Sequence, residues 1–300
     1  MNYTIKNNML EVTISSMGAE IQSVKGRHTG HEYMWQADPE IWDRHAPVLF
    51  PIVGRLKNDE YTYNGKTYHL PQHGFARNEE FTVEKQSEES ITFLLKDTEE
   101  SRKMYPFEFE LRVNYNLMNN LLEENFTVTN KTDGEMIFGI GGHPGFNVPV
   151  KNLGLEKKDF YFTTQPSVSR IQIPISKQNG LLDWDNRSLA PTDSLIALSD
   201  DLFKNDALIY QLKGHDNKIS LRTEDSHFHI NVWTRNAPFV GIWSQYPKTA
   251  DYICIEPWWG IADRSDSNGK LEDKFGMNHL DKGEKFEAGF SITFHGQDDE

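Results

Sequence analysis

Phe107-Glu108-Phe109-Glu110-Leu111-Arg112-Val113-Asn114-Tyr115 alternates apolar and polar side chains without a break. Only a chain that turns each side chain to the opposite face from the last would use such a pattern, and that chain is a strand with one buried and one wet face. The same period recurs in both directions. It is read in Leu10 to Ile14, Phe81 to Val83 and Ile91 to Leu95 before this stretch. After it come Leu121 to Val128, Ala207 to Leu212, Ile219 to Leu221, Phe228 to Trp233 and Phe286 to Phe294. Asn64-Gly65 between Tyr61-Thr62-Tyr63 and Lys66-Thr67-Tyr68 is a two-residue hairpin signal, because both residues tolerate positive φ, and Asp133-Gly134 reads the same way. Helical pattern is confined to short pieces at Thr98 to Met104 and Ser199 to Lys204. The expectation is all-β: a single domain over residues 1–300, a large antiparallel β-sandwich with few short helices. The twist of its sheets leaves an open concave face able to hold a ligand.

With 300 residues, a compact fold of this size buries roughly three quarters of its unfolded surface and needs no covalent staples. Cys254 is the only cysteine, so no internal disulfide forms. Inside Tyr252-Ile253-Cys254-Ile255 it reads as a small core residue. Thirty-one basic against forty-five acidic residues give a net charge of −14, which repels phosphate backbones and anionic lipid. Nucleic acid and membrane are therefore poor partners, and no apolar run approaches the roughly twenty residues that span a bilayer. The first residues, Met1-Asn2-Tyr3-Thr4-Ile5-Lys6, lack the basic and apolar regions of a secretory signal, so the expected location is the cytoplasm. The sequence leaves monomer and homodimer open.

Five places carry chemistry. In Gly141-Gly142-His143-Pro144-Gly145-Phe146-Asn147 two glycines and a proline end a strand-like run, with the imidazole held at the break. The glycines admit unusual backbone angles or the close approach of another group. Ile253-Cys254-Ile255-Glu256-Pro257-Trp258-Trp259 puts a carboxylate inside an apolar strand, where an ionised Glu256 is costly unless it is paired or used. Arg55 follows the apolar run ending in Gly54, and His73 sits in the turn Pro71-Gln72-His73-Gly74-Phe75-Ala76-Arg77. Asp206 opens a strand, with Asp200 and Asp201 as alternatives. Each has a structural alternative: a surface ion pair for Arg55, a loop histidine for His73, a turn cap for Asp206. His227 and His229 have the spacing of a chelating pair but no evident third ligand, so no metal is expected. Neither a nucleophile elbow nor a P-loop occurs.

Taken in chain order these residues read Arg, His, His, Asp, Glu. Over nearly its whole length the sequence resembles the aldose 1-epimerase (galactose mutarotase-like) family, in particular its LacX-like bacterial branch. Gly142-His143-Pro144 with Phe146-Asn147, and the strand-end Glu256, carry the resemblance most specifically. It implies a β-sandwich with the sugar in an open cleft and no metal or organic cofactor. It also implies His143 as the acid that protonates the ring oxygen and Glu256 as the base that takes the anomeric proton. Arg55, His73 and Asp206 are implied to hold the sugar. The chain departs from the family pattern at Gly145, at Pro257-Trp258-Trp259 and at Phe75-Ala76-Arg77, all expected to line the cleft. Arg77 is a feature shared with hexose-6-phosphate 1-epimerases, and Trp243, Trp258 and Trp259 are candidates to stack on a sugar face. Three readings follow: epimerisation of a free hexose such as galactose or glucose, epimerisation of a phosphosugar, or non-catalytic carbohydrate binding.

Overall fold

The alternating stretch forms the strand Phe109–Met118, and a tight turn at Asn119 returns the chain as Leu121–Asn130. Phe109, Leu111, Val113, Tyr115 and Leu117 are buried while the residues between them are partly exposed, as the period requires. This computed structural model describes residues 1–224 and 227–296. The hairpin lies in a nine-stranded sheet. Its order is Ile196–Ala197, Phe160–Gln165, Lys218–Thr223, His229–Trp233, Lys285–His295, Leu121–Asn130, Phe109–Met118, Ser90–Lys96 and Thr82–Gln86.

A second sheet, of eight strands, is centred on Phe239–Trp243 and Tyr252–Trp259. Leu208–Gln211 flanks it on one side, and Ile140–Gly142 with Gly145–Asn147 on the other. The ladders of both sheets are antiparallel throughout. The apolar core fills the space between the sheets: Ile253, Ile255 and Trp259 face Phe126, Phe290 and Ile292. A separate three-stranded sheet packs its inner residues Ile5, Val12 and Ile14 onto the same core. Helix is confined to short pieces, of which Glu99–Met104 begins on a capping box between Thr98 and Ser101. Among the described residues no helix is long and apolar enough to cross a membrane.

Two local expectations are settled differently. Asn64-Gly65 turns the hairpin Glu60–Tyr63/Lys66–His69, both residues at positive φ. Asp133-Gly134 does not turn a hairpin. Asn130 donates from Nδ2 to the carbonyls of Gly134 (2.7 Å) and Leu280 (2.9 Å), and the chain then leaves the large sheet. Its next strand, Met136–Phe138, pairs with Asn278–Leu280.

Candidate functional site

The strand Tyr252–Trp259 lies in the middle of the eight-stranded sheet and is buried on both faces. Its odd-numbered residues point into the sandwich. Its even-numbered residues Cys254, Glu256 and Trp258 point to the outer, concave face. Trp259 therefore belongs to the core, packed edge-on against Phe126, and is not a candidate sugar platform. On one side the strand pairs with Phe239–Trp243, which sets Gly241 opposite Glu256. On the other side its partner strand is broken. Ile140 pairs with Trp259, Gly141 with Trp258, and pairing resumes at Gly145 with Cys254. The same register, continued across the break, carries His143 directly opposite Glu256. His143 Nε2 and Glu256 Oε2 lie 3.1 Å apart. Two residues far apart in sequence thus meet as a cross-strand pair, the commonest unit of contact in a sheet.

The glycines before His143 act through space and not through backbone angle, since neither has positive φ. A Cβ on Gly142 would strike the Phe290 ring at 2.4 Å, and one on Gly141 would strike Trp258 at 2.7 Å. Across the sheet, the Trp258 ring likewise covers Gly241, where a Cβ would lie 2.5 Å from it. The indole lies across the concave face because Gly141 opposite it and Gly241 diagonal to it leave it room.

A cavity of about 320 Å³ opens over the pair. His143, Glu256, His73, Arg77, Asp206, Trp243 and Trp258 all line it. Arg55 does not. Its guanidinium turns to Asp59 (3.3 Å) and to Gln72 Oε1 (3.2 Å), and its stem stands behind Gly180. An acid four residues on offers a nearer partner than the cavity. Asp200 is exposed and paired with Lys157 at 2.8 Å, and Asp201 is exposed, so of the three aspartates Asp206 is the one that reaches the cavity. It sits at positive φ, and its Oδ1 accepts from the Ala207 amide. His229 stacks on His295 at 3.9 Å, apart from the cavity.

His73 is held by a reciprocal pair of bonds. Its amide donates to the Gly54 carbonyl (2.8 Å), and its Nδ1 accepts from the Gly54 amide (3.0 Å). That second bond fixes the tautomer of the neutral ring, so its hydrogen is on Nε2. Gly74 next to it has positive φ, and a Cβ there would lie 2.3 Å from the Phe50 carbonyl oxygen. That position admits no side chain. Trp42 was not singled out by its sequence context. It stacks on His143 with ring centroids 5.0 Å apart, while Trp243 and His73 meet the same ring edge-on at 5.8 and 5.6 Å. Trp42 comes from an irregular segment followed by His45 and Ala46, whose amides both donate to the buried Glu20 carboxylate. Gln72 and Gly180 complete the wall without a chemical signal of their own.

Burial sets the charges. The His143 imidazole is pushed down to about 3, first by desolvation and then by the Arg77 charge. Desolvation holds the Glu256 carboxyl well above the usual carboxylate range. The Asp206 charge adds to the rise, and the Trp258 indole works weakly against it. His73 is held well below the ordinary imidazole value by burial and by neighbouring basic groups. Burial thus disfavours charge on both members of the pair, favouring the neutral imidazole and the protonated carboxyl. Three buried polar side-chain atoms around this one cavity, His143 Nδ1, Trp258 Nε1 and Arg77 Nε, have no hydrogen-bond partner among the described residues, and Glu256 Oε2 has none but His143 Nε2. Native proteins pair such atoms, and leaving several in one place fits a surface that a polar guest completes.

A family model for aldose 1-epimerase matches residues 1–293. Protein LacX of Lactococcus lactis subsp. lactis, in its plasmid form, is 36% identical over 283 residues, 91% of this chain and 93% of that protein. Among solved structures, a galactose mutarotase related enzyme from Lactobacillus acidophilus superposes with a TM-score of 0.98 at 71% identity, covering 100% of this chain and 99% of that one. A galactose mutarotase-like protein from Lactobacillus casei ATCC 334 follows with a TM-score of 0.89 at 30% identity, covering 98% and 100%.

Proposed function

The chain belongs to the aldose 1-epimerase family, and from that premise we propose that it interconverts the α and β anomers of a free hexose such as galactose or glucose in the cytoplasm. The observation that carries this reading is the 3.1 Å approach of His143 Nε2 to Glu256 Oε2 on the wall of a sugar-sized cavity. Changing an anomer requires opening the hemiacetal, turning about C1–C2 and closing again. A proton must reach the ring oxygen while another leaves O1, and both moves reverse on closing.

One proton on the His143/Glu256 pair is enough for that cycle. With the proton on the imidazole, His143 donates to the ring oxygen while Glu256 accepts from O1, and the ring opens. The proton now sits on Glu256, which is the resting form favoured by burial. On closing, Glu256 returns it to O1 and His143 takes the ring-oxygen proton back. The two states hold the same number of protons, so no exchange with solvent is needed within a turnover. His73 Nε2–H and Asp206 would hold sugar hydroxyls, and Trp243 and Trp258 would cover the apolar face of the ring. Arg55, paired with Asp59, is left outside this set.

Arg77 favours a second reading. Its buried Nε has no partner and its side chain lines the cavity, so an anionic substituent on the sugar would find a cation there. NMR exchange spectroscopy on freshly dissolved α-galactose, α-glucose and glucose 6-phosphate tests both. Faster anomer exchange that His143→Asn abolishes is the expected result. A preference for the phosphate that Arg77→Ala removes would select the second reading. Exchange that His143→Asn leaves intact would remove the assigned chemistry.

A further inference from the structure

We propose that His143, Cys254 and Glu256 form a binding site for one thiophilic divalent cation, Zn²⁺ by the chemistry of its donors, and that the bound ion shuts the sugar reaction off. The three residues each offer one donor atom, and these atoms all lie within 4.8 Å of one another. Cys254 and Glu256 are two residues apart on one strand and share its concave face, and His143 stands across the ladder from Glu256. Nitrogen and oxygen ligands at about 2.0–2.1 Å on a tetrahedral ion lie roughly 3.3 Å apart, close to the 3.1 Å already present between His143 and Glu256. A thiolate at about 2.3 Å completes three corners, and the cavity supplies the open fourth.

Two further facts point to a ligand. His143 Nε2 and Glu256 Oε2 face each other at 3.1 Å and make no other hydrogen bond among the described residues, so the two donors are not consumed by the rest of the fold. A dication held by one thiolate and one carboxylate also leaves the buried cluster electrically neutral, which removes the main cost of placing charge there. On binding, the Cys254 thiol and the Glu256 carboxyl each release a proton to solvent, and the neutral imidazole supplies a lone pair. The thiolate selects Zn²⁺ over Mg²⁺ or Ca²⁺, which prefer oxygen alone.

The blocking half of the proposal rests on the reading of His143 and Glu256 as acid and base, but the site itself does not. Co²⁺ titrated into the whole chain as a spectroscopic stand-in separates the two. One equivalent should bind with a thiolate-to-cobalt charge-transfer band. Cys254 is the only cysteine, so that band identifies the ligand without a variant. In Cys254→Ser the band should vanish. Stoichiometric Zn²⁺ should abolish anomer exchange, a chelator should restore it, and Cys254→Ser should need at least about tenfold more Zn²⁺ for the same effect. No band, or equal Zn²⁺ sensitivity in Cys254→Ser, overturns the proposal. If the metal-free protein shows no exchange, the functional reading fails, while the cobalt band still decides the site.

Discussion

Among the described residues two glutamates are buried in the middle of long strands, and only one of them faces a cavity. Glu124, on Leu121–Asn130, points into the space between the sheets, with Tyr115 opposite on one side and Phe290 on the other. Glu256, on Tyr252–Trp259, points to the concave face, with Gly241 opposite on one side and His143 on the other. Both are 1% exposed; neither Glu124 oxygen has a hydrogen-bond partner, and Glu256 Oε2 faces His143 Nε2 at 3.1 Å. Burial pushes Glu124 up to about 8, with the Tyr115 hydroxyl easing the shift slightly, and holds Glu256 well above the carboxylate range. A perturbed carboxyl is therefore a consequence of burial wherever it occurs. What separates the two is the company: aromatic rings seal one, while a glycine and a second titratable group open the other to a guest.

The strongest way to break this comparison is to neutralise each carboxyl in turn. Glu256→Gln should cost about 10²–10⁴-fold in anomer exchange, the usual worth of a positioned proton-transfer group. Glu124→Gln should leave exchange within about twofold, because nothing in the core site reaches the cavity. Comparable losses in both variants, measured by NMR exchange on α-galactose, would show that Glu256 acts through stability alone.

The next largest effect should appear in stability. Glu124 keeps its proton when folded up to about pH 8 and loses it near the ordinary 4.5 when unfolded. Between those values the folded chain binds the extra proton, so stability is full at low pH and is lost as pH rises toward 8. The slope is about 1.4 kcal/mol per pH unit for one group. His143 contributes the opposite sign, since its folded value of about 3 lies below 6.5, and its share is lost as pH falls between those two. Subtracting urea melts of Glu124→Gln from those of the parent between pH 5 and 8 isolates the Glu124 slope. A difference that stays flat over that range would mean the carboxyl is hydrated in the native state.

Much of this was legible in the residues, and the exceptions have physical causes. Alternation in Phe107 to Tyr115 is a short-range property, so it exposes strands and core faces directly. His143 and Glu256 stood out because each violates its surroundings: a proline-bounded imidazole, and a charge in an apolar strand. Their meeting depends on register between strands far apart in sequence, which no local pattern states. Trp42 lay in an irregular stretch, whose continuation at His45 and Ala46 is fixed by Glu20 from the turn before the strand Ile21–Gly26. Arg55 read either as a sugar-holding group or as half of a surface ion pair, and nothing in the sequence singled out Asp59, four residues on, as its partner. Asp133-Gly134 carried a hairpin signal, but the Asn130 side chain spends its bonds on closing a different loop. Glu124 did leave a trace, a polar residue in phase with Leu122, Phe126 and Val128, and that phase alone marks it as buried.

Gly241 sharpens the comparison from the open side. A methyl there would fall 2.5 Å from the Trp258 ring and force the indole off the floor beside Glu256. Gly241→Ala should destabilise by about 1–3 kcal/mol, as overpacking does, and slow exchange as the ring moves into the cavity. Thermal melts and exchange rates on the same sample read both effects. Normal exchange in a folded Gly241→Ala protein would mean that the space opposite Glu256 is not needed.

The smallest expected effect tests the sealed side. The Tyr115 hydroxyl donates to the Ala19 carbonyl at 2.7 Å and is the polar group that eases the charging of Glu124. Tyr115→Phe removes both interactions without changing the shape of the core. The cost should be about 0.5–1.5 kcal/mol for the lost hydrogen bond. The Glu124 carboxyl should also move further up, so the fall in stability with rising pH should extend to a higher pH than in the parent. Anomer exchange should not change. If it did, the aromatic seal around Glu124 would be coupled to the pair at Glu256, and the two carboxyls could no longer be treated as independent outcomes of one physical rule.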